Sequence, residues 1–279
     1  MYIKRLNKTF NFPSDHTWIM GILNVTPDSL SDGGAYVATD DMIAQVEKMV
    51  VEGVDIIDVG GESTRPGHVP VTLEEEINRV VPAVQAIRQV SEVLISVDTW
   101  KAEVARQALE AGADIINDQW AATREPAIAK VCADFDVPLI LMHNREEYQA
   151  YSDIMNEMKA DLQNAIEIAR AQGMRDDQLI LDPGVSFAKT ADDNLLAIQG
   201  LQELASFNMP VLLATSRKGF LGKLVDVPAN ERDVATAATT VSGILSGADM
   251  VRVHNVKVNK EAAAVADAIK RGQIDPVSI

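Results

Sequence analysis

The sequence predicts an α/β fold in which eight parallel strands alternate with eight helices and close into a (β/α)8 or TIM barrel. Two observations lead to this prediction: short apolar runs alternate with longer amphipathic segments, and several of those segments end at glycine. The short runs are apolar on both faces, as strands are when helices cover a parallel sheet. A doubly wound open sheet is the main alternative, but it does not need eight units so evenly spaced.

The predicted strands are short runs rich in Ile, Val and Leu. They span residues 18–24, 54–60, 93–98, 113–117, 137–143, 178–182, 210–216 and 248–254. Between them, apolar residues recur at helical spacing, first within 42–50, 77–87 and 104–109. The later helices are expected near 124–136, 152–173, 192–207, 231–246 and 257–271. Glycine, which adopts positive φ readily, ends helices in the stretches EGVD, AGAD, QGM and SGAD.

Composition indicates one large ordered domain. Of the 279 residues, 47% are hydrophobic and 24% are charged, which allows a sizeable core and argues against disorder. We therefore expect a single barrel domain over 1–279, with 1–17 as an N-terminal extension. The formal net charge of -16 disfavours nucleic acid and anionic membranes as partners, because both attract an excess of Lys and Arg. An anionic small molecule remains a possible ligand if the cations are concentrated in one cleft.

The chain carries no pattern of a secreted or membrane protein. Its N-terminus lacks the apolar region of a signal peptide, and no apolar run approaches the roughly 18 residues needed to span a bilayer. Cys132 is the only cysteine and lies in an apolar stretch, so we expect a buried thiol and no internal disulfide. These features predict a cytoplasmic protein.

Nearly every predicted strand ends in a polar residue. The ends are Asn24, Gly60 with the stretch GGESTRPGH, Asp98, Asn117, His143, Asp182, Ser216 with Arg217 and Lys218, and Arg252 with His254. One such residue could simply face water or cap a helix. In a closed barrel, however, the C-terminal ends of all the strands meet at one mouth. The sequence therefore predicts an active site at the C-terminal ends of the strands.

Two kinds of chemistry are represented at this predicted mouth. Asp98, Asn117 and Asp182 offer acceptors and an amide, which suit a flat heterocycle that carries N–H donors and a carbonyl. A second set offers positive charge and hydroxyls, which suit a phosphate or diphosphate. Its members are Ser63, Thr64, Arg65, Lys218, Arg252 and His254. Arg217 and Lys218 are together expected to neutralise an anion or an oxygen-rich ring.

Two stretches that follow strands are too long for tight βα turns. NVTPDSLSDGG, residues 24–34, combines Pro, Ser and paired Gly with Asp28 and Asp32. GGESTRPGH, residues 60–68, has a similar composition. We interpret both as mobile lids over the site; ordinary solvated loops are the alternative.

Seven segments resemble, in order, the signature segments of the dihydropteroate synthase family. They cover positions 20–256 and read GILNVTPDSLSDGG, DIIDVGGESTRPG, ISVDT, ADIIND, LILDPGVSFAKT, TSRKGF and VRVHNV. The resemblance implies a TIM barrel, usually a homodimer, that is a target of sulfonamides. It implies a transferase that joins 6-hydroxymethyl-7,8-dihydropterin diphosphate to 4-aminobenzoate, with Mg2+, to give 7,8-dihydropteroate and pyrophosphate in folate biosynthesis. The implied reaction is dissociative, with a pterin cation as its intermediate.

The resemblance also assigns roles to individual positions. The family's pterin-binding positions correspond to Asp98, Asn117, Asp182 and Lys218. Its pyrophosphate-binding positions correspond to Asn24, Thr64, Arg252 and His254, and Asn24 is also the implied Mg2+ ligand. Its aminobenzoate pocket corresponds to Leu30, Pro66, Phe187 and Gly219. Its catalytic positions correspond to Asp32, Arg65 and Lys218, the first two on the loops that close over the site.

The sequence departs from the family pattern at two of these positions. Leu30 stands where Phe is usual, and Gly219 stands where Ser is frequent. Both lie at the edge of the implied aminobenzoate pocket, so they bear on aminobenzoate affinity and on discrimination against sulfonamides.

Three other functions are compatible with parts of the pattern. A pterin-dependent methyltransferase would share the ring-binding residues, but it needs a corrinoid partner and no diphosphate site. An aldolase could form a Schiff base on Lys218, although the adjacent Arg217 and the polar surroundings disfavour it. A pterin-binding protein without turnover is the third alternative, suggested by Leu30 and Gly219.

Overall fold

The computed structural model describes residues 2–5, 8–11, 14–25, 35–62 and 71–274. Its strands are β1 Tyr2–Arg5, β2 Lys8–Asn11, β3 Trp18–Asn24, β4 Ile56–Gly60, β5 Leu94–Asp98, β6 Ile115–Asp118, β7 Leu139–Met142, β8 Leu179–Asp182, β9 Leu212–Leu213 and β10 Met250–Val253. Its α-helices are α1 Ala35–Val51, α2 Leu73–Val90, α3 Ala102–Ala111, α4 Ala127–Phe135, α5 Ile154–Ala171, α6 Ala191–Gln199, α7 Gly219–Val225, α8 Asp233–Leu245 and α9 Val256–Arg271.

Strands β3 to β10 form one parallel eight-stranded sheet, in the order β8-β7-β6-β5-β4-β3-β10-β9. The two outermost strands meet where the Leu181 N–H donates to the Pro210 carbonyl at 2.9 Å, beside a parallel bridge from Leu181 to Val211. This contact closes the sheet, so the predicted (β/α)8 barrel is confirmed. Within the N-terminal extension, β1 and β2 form an antiparallel hairpin that the sequence analysis did not identify.

Three observed elements differ from the predicted ones. The strand expected over 210–216 has ladder pairs only at Leu212–Leu213, and the side chains that follow it bond to other parts of the chain: Thr215 to Thr239 and Ser216 to His254. Helix α7 was not predicted, since seven residues are too few to establish a helical period. The helix expected over 192–207 is α6 followed at Gly200 by a 3-10 helix.

The pleat of the strands creates two cores, because successive side chains point to opposite faces of the sheet. The outward residues, such as Ile57, Ile95 and Leu141, pack against the helices in one large cluster. The inward residues form a separate apolar layer inside the barrel: Trp18, Met20, Ile56, Leu94, Ile115, Ile140, Ile180, Leu212 and Met250. Full burial of each large apolar side chain contributes about 1.5–3 kcal/mol to folding.

The next inward position of several strands, two residues toward the mouth, is polar. There Ile56 is followed by Asp58, Leu94 by Ser96, Ile115 by Asn117, Ile180 by Asp182 and Met250 by Arg252. The apolar layer thus lies beneath a second inward layer, nearer the mouth, that carries carboxylates, an amide and a guanidinium. No helix in the described part of the chain is long and apolar enough to cross a membrane.

Candidate active site

Arg252 links two carboxylates inside the barrel. Its Nε donates to Asp58 Oδ2 at 2.6 Å, and its Nη2 donates to Asp98 Oδ2 at 2.9 Å. Asp58 Oδ2 also accepts a hydrogen bond from Asn117 Nδ2 at 3.2 Å. Side chains of β4, β5, β6 and β10 therefore meet in one hydrogen-bonded group, which we call the acidic cluster: Asp58, Asp98, Asn117 and Arg252.

Burial and charge set the protonation of this cluster. Burial raises the pKa of Asp98 to about 7; Arg252 opposes this shift and the Asp58 carboxylate adds to it. Burial also raises the pKa of Asp182, against the opposing effects of Lys218 and of the Gly184 N–H, which donates to Asp182 Oδ1 at 2.7 Å. The pKa of Arg252 is raised, because Asp58 and Asp98 outweigh the cost of burying its charge.

Lys218 lies next to this cluster, at the N-terminus of α7. Its Nζ donates to the Val185 carbonyl and lies 4.9 Å from the centroid of the Phe187 ring. Burial lowers the pKa of Lys218 to about 8, although the Asp182 and Asp98 carboxylates oppose that shift. The next residue is Gly219, where an added Cβ would meet no described atom within 4 Å apart from its chain neighbours and its own helix, so there is open space beside this glycine.

Ser216 and His254 pair where β9 and β10 end. Ser216 Oγ accepts the His254 backbone N–H at 3.1 Å and lies 2.9 Å from His254 Nδ1. Because this hydroxyl accepts from the backbone, its own hydrogen is available to donate to Nδ1. Either atom can be the donor in this contact between Ser216 Oγ and His254 Nδ1, depending on the tautomer of the ring.

Arg217 does not share the surroundings of Lys218. It adopts a positive φ of 58° and forms a bidentate pair with Asp233, from Nε at 2.7 Å and from Nη2 at 3.0 Å. Asp233 also accepts from Asn255, which caps α9. The expectation that Arg217 and Lys218 together neutralise a ligand was therefore wrong for Arg217, whose charge is matched within the protein.

The structure brings most of the described candidate residues to the mouth of the barrel. Asn24 is exposed at the end of β3, with its Oδ1 3.5 Å from the position of a Cβ added to Gly60. The others are Asp98, Asn117, Asp182, Phe187, Lys218, Gly219, Arg252 and His254. Six candidates lie outside the described residues: Leu30, Asp32, Ser63, Thr64, Arg65 and Pro66.

Asp58 is a further polar residue of the site, and it is not among the residues predicted from the sequence. It is fully buried, and its Oδ1 has no hydrogen-bond partner among the described residues; the same is true of Ser96 Oγ, which is next to it in the sheet register. Buried polar atoms are normally paired, so two adjacent unpaired ones point to a bound water or ligand. The available signal was a lone carboxylate in the middle of the apolar strand IIDVG.

Comparisons with known proteins agree with this geometry. Residues 20–254 match the family model described as "Pterin binding enzyme". The chain is 47% identical to the dihydropteroate synthase of Clostridium beijerinckii over 266 residues, which cover 95% of this chain and 98% of that protein. It is similar to the solved dihydropteroate synthase of Clostridium difficile, crystallised with pteroic acid, at 44% identity and a TM-score of 0.88, covering 91% of this chain and 97% of that one.

The same enzyme from Xanthomonas albilineans, solved with 4-aminobenzoic acid, has 35% identity and a TM-score of 0.89, and covers 96% of this chain and 98% of that one. These relatives bear the name of the synthase rather than of a methyltransferase or an aldolase. The resemblance read from the seven sequence segments is confirmed. The chain belongs to the dihydropteroate synthase family.

Proposed function

We propose that this protein joins 6-hydroxymethyl-7,8-dihydropterin diphosphate to 4-aminobenzoate and releases pyrophosphate, as a step of folate biosynthesis. The observation that carries the proposal is the position of the acidic cluster next to Lys218, within a barrel whose other strand ends supply Ser216 and His254. A ring with several N–H donors fits the carboxylates. A leaving anion fits the positively charged side chains of Lys218 and Arg252.

The acidic cluster supports binding of the pterin ring. Asp98 and Asp182 offer acceptors to ring N–H and amino groups, while Asn117 and Lys218 offer donors to the ring carbonyl. The unpaired oxygens of Asp58 and Ser96 provide further polar atoms inside the barrel. Because these side chains are largely buried, hydrogen bonds to them are stronger than they would be in solvent.

The charges also suit a dissociative reaction. The bond from the pterin methylene carbon to the diphosphate oxygen breaks first, and its electron pair leaves with the diphosphate. The ionised carboxylates of Asp98 and Asp182 then stabilise the pterin cation. The aminobenzoate nitrogen forms the new C–N bond and loses one proton. Arg252 and His254 are the described residues proposed to stabilise the departing anion, and Thr64, Asp32 and Arg65 remain proposals outside the described residues.

Phe187, Gly219 and Lys218 are proposed to border the aminobenzoate site. There is open space beside Gly219, and the Phe187 ring centroid lies 4.9 Å from the Lys218 ammonium nitrogen. A benzoate carboxylate near that ammonium group would gain a charge-assisted hydrogen bond. Leu30 and Pro66 are proposed to complete this pocket.

The residues present fit a Mg2+ ion that arrives with the substrate. Within the described ranges, no cluster of three or more His, Cys, Asp or Glu side chains is placed to hold a metal. Mg2+ commonly keeps several waters and binds through few protein oxygens together with substrate phosphates. The exposed amide oxygen of Asn24 is one such ligand. When bound, the ion would neutralise charge on the diphosphate.

We further propose that the protein acts in the cytoplasm as a homodimer. The family resemblance implies a dimer. Exposed apolar side chains on adjoining helices support a protein contact: Leu224 on α7, Val234 on α8, and Val265 and Ile269 on α9. Sedimentation of the purified protein tests this assignment.

The function is tested by incubating the purified protein with the pterin diphosphate, 4-aminobenzoate and Mg2+. We expect pyrophosphate and dihydropteroate to form together, and no turnover when Mg2+ is chelated. Pterin binding in calorimetry without product would instead support a binding protein. Borohydride trapping of a carbonyl substrate on Lys218 would support the aldolase.

We predict a bell-shaped pH dependence of kcat/KM for the pterin diphosphate. Asp98, with a pKa of about 7, must lose its proton to accept two ring hydrogens, so activity rises with pH through that value. Lys218, with a pKa of about 8, loses its charge above that value, so activity then falls. Because the groups interact, the two limbs report the set rather than either residue alone. In Asp98→Asn the acid limb should move, because Asp182 is then the remaining carboxyl with a raised pKa in the set; an unchanged acid limb would contradict the assignment.

A further inference from the structure

The loop between β8 and α6, residues 183–190, carries two groups that contact Lys218: the Val185 carbonyl and the Phe187 ring. Its backbone is unusual, because three alternate residues have positive φ: Gly184 at 64°, Ser186 at 71° and Ala188 at 45°. Glycine adopts this region easily, whereas a non-glycine residue there costs about 1–2 kcal/mol. Contacts with the rest of the protein must therefore hold the loop in this conformation.

Gly184 fixes the start of the loop. A Cβ at this position would lie 1.8 Å from the backbone oxygen of His143, so the loop backbone packs directly on the end of β7. Other parts of the loop are held by side chains. Asn194 accepts the Ser186 N–H at 2.6 Å, and the Tyr151 hydroxyl donates to the Ala188 carbonyl at 3.0 Å.

Lys189 makes the most extensive contacts with this loop. Its Nζ lies 3.1 Å from the Gly184 carbonyl oxygen, 3.2 Å from the Phe187 carbonyl oxygen and 2.7 Å from His143 Nδ1. Burial lowers the pKa of Lys189 to about 7; in its protonated form the side chain has three donors, and these three acceptors use all of them. One side chain thus ties backbone from both ends of the Gly184–Phe187 turn to the strand next to β8.

His143 is itself fixed as an acceptor for Lys189. Its Nε2 lies 3.0 Å from Asp161 Oδ2, and Asp161 also accepts from Arg145 Nε at 2.8 Å. A proton on Nε2 is directed at that carboxylate, which leaves the lone pair of Nδ1 for Lys189. The chain Asp161, His143, Lys189 therefore connects helix α5 to the loop.

We propose that Lys189 is a positioning residue that holds the 183–190 loop in the conformation in which Phe187 and the Val185 carbonyl meet Lys218. It does not touch a reacting atom. Its effect on the reaction passes through Phe187, and so falls on the aminobenzoate site more than on the pterin ring. The kinetic part of this inference rests on the proposed function, whereas the conformational part does not.

The test compares Lys189→Met with Lys159→Met, a matched control on α5 whose ammonium group pairs with Glu203 at 2.7 Å away from the loop. In Lys189→Met we expect the KM for 4-aminobenzoate to rise about 10-fold or more, with less than about a 3-fold change for the pterin diphosphate. The amides of Ser186 and Phe187 should also exchange hydrogen faster, while barrel amides keep their protection. The control should match the wild type in all three measurements.

Unchanged aminobenzoate KM together with unchanged loop exchange would overturn the proposal, and so would an equal rise in both KM values. If Lys189→Met does not fold, Lys189→Arg carries the test, since a planar guanidinium cannot place donors on the same three acceptors. If the wild type has no synthase activity, the proposed function fails. Hydrogen exchange of the loop amides alone then decides the role of Lys189. Equal protection of these amides in the variant and in the wild type refutes that role.

Discussion

Replacing Arg252 with methionine is expected to lower the free energy of unfolding by about 3–5 kcal/mol, because breaking a buried ion pair leaves uncompensated charge. The side chain of Asp58 is 0% exposed and that of Asp98 is 11% exposed, so neither carboxylate can recover its hydration. Both lose their strongest donor in the variant. Urea unfolding followed by circular dichroism measures the loss. We expect synthase activity to disappear as well, since the ring-binding carboxylates are no longer held.

Arg217→Met is the matched control for Arg252→Met. It also removes an arginine that forms a bidentate pair, but the Arg217 and Asp233 side chains are 28% and 22% exposed. Partly exposed pairs of this kind contribute about 0–1 kcal/mol. The difference between the two losses of stability should narrow as the pH falls, and it should begin to narrow above pH 7, because removing Arg252 raises the pKa of Asp98 further and protonation of Asp98 removes part of the uncompensated charge. Equal stabilities for the two variants at neutral pH would refute the structural role of Arg252.

Replacing Lys218 with methionine is expected to reduce kcat/KM by about 100- to 1000-fold, the usual effect of removing one preorganised electrostatic donor. Stability should not fall. The folded pKa of about 8 lies below the ordinary value of 10.5, so the native state disfavours the charged form. The loss of folding free energy that comes from burying this charge is fully present below about pH 8. It fades between pH 8 and 10.5, as the unfolded chain also loses its proton. An uncharged side chain of similar length removes the cost.

Lys223→Met is the control for this substitution. Lys223 is an exposed lysine in the last turn of the same helix, α7, and has no place in the proposed site. We expect wild-type kinetics for it. A Lys218 variant that keeps full activity, or one whose melting temperature drops sharply, would show that Lys218 serves the fold and not the ligand.

Strand positions were predictable because both faces of each strand are apolar. One face packs against the helices, and the other fills the barrel. Seven of the eight predicted strands lie within two residues of their observed bounds, and β3 matches at both ends. Because the C-terminal ends of all strands of a closed barrel meet at one mouth, the polar strand ends could be placed together there. This reasoning located Asp98, Asn117, Asp182 and Lys218 without knowledge of any contact.

Pairing between distant residues was not predictable in the same way. Arg217 adopts a positive φ and pairs with Asp233 on α8, and no local pattern separates it from its neighbour Lys218. Asp58 was not predicted, because the site residues were chosen at the ends of strands and Asp58 lies in the middle of one. The role proposed for Lys189 depends on three acceptors from β7 and from a loop with alternating positive φ, a geometry that spacing does not encode.

The contact that closes the barrel lies between β8 and β9, where pairing is sparse: β9 has two residues, and Leu181 supplies the bridge and the hydrogen bond to Pro210. We therefore expect thermal fluctuations to separate neighbouring strands most easily at this seam. Asp182 ends one strand of the seam, and Lys218 follows the other. Partial opening there would pull the carboxylate and the ammonium group apart while the remaining strands stay paired. Heating should therefore abolish turnover before it melts the bulk of the protein.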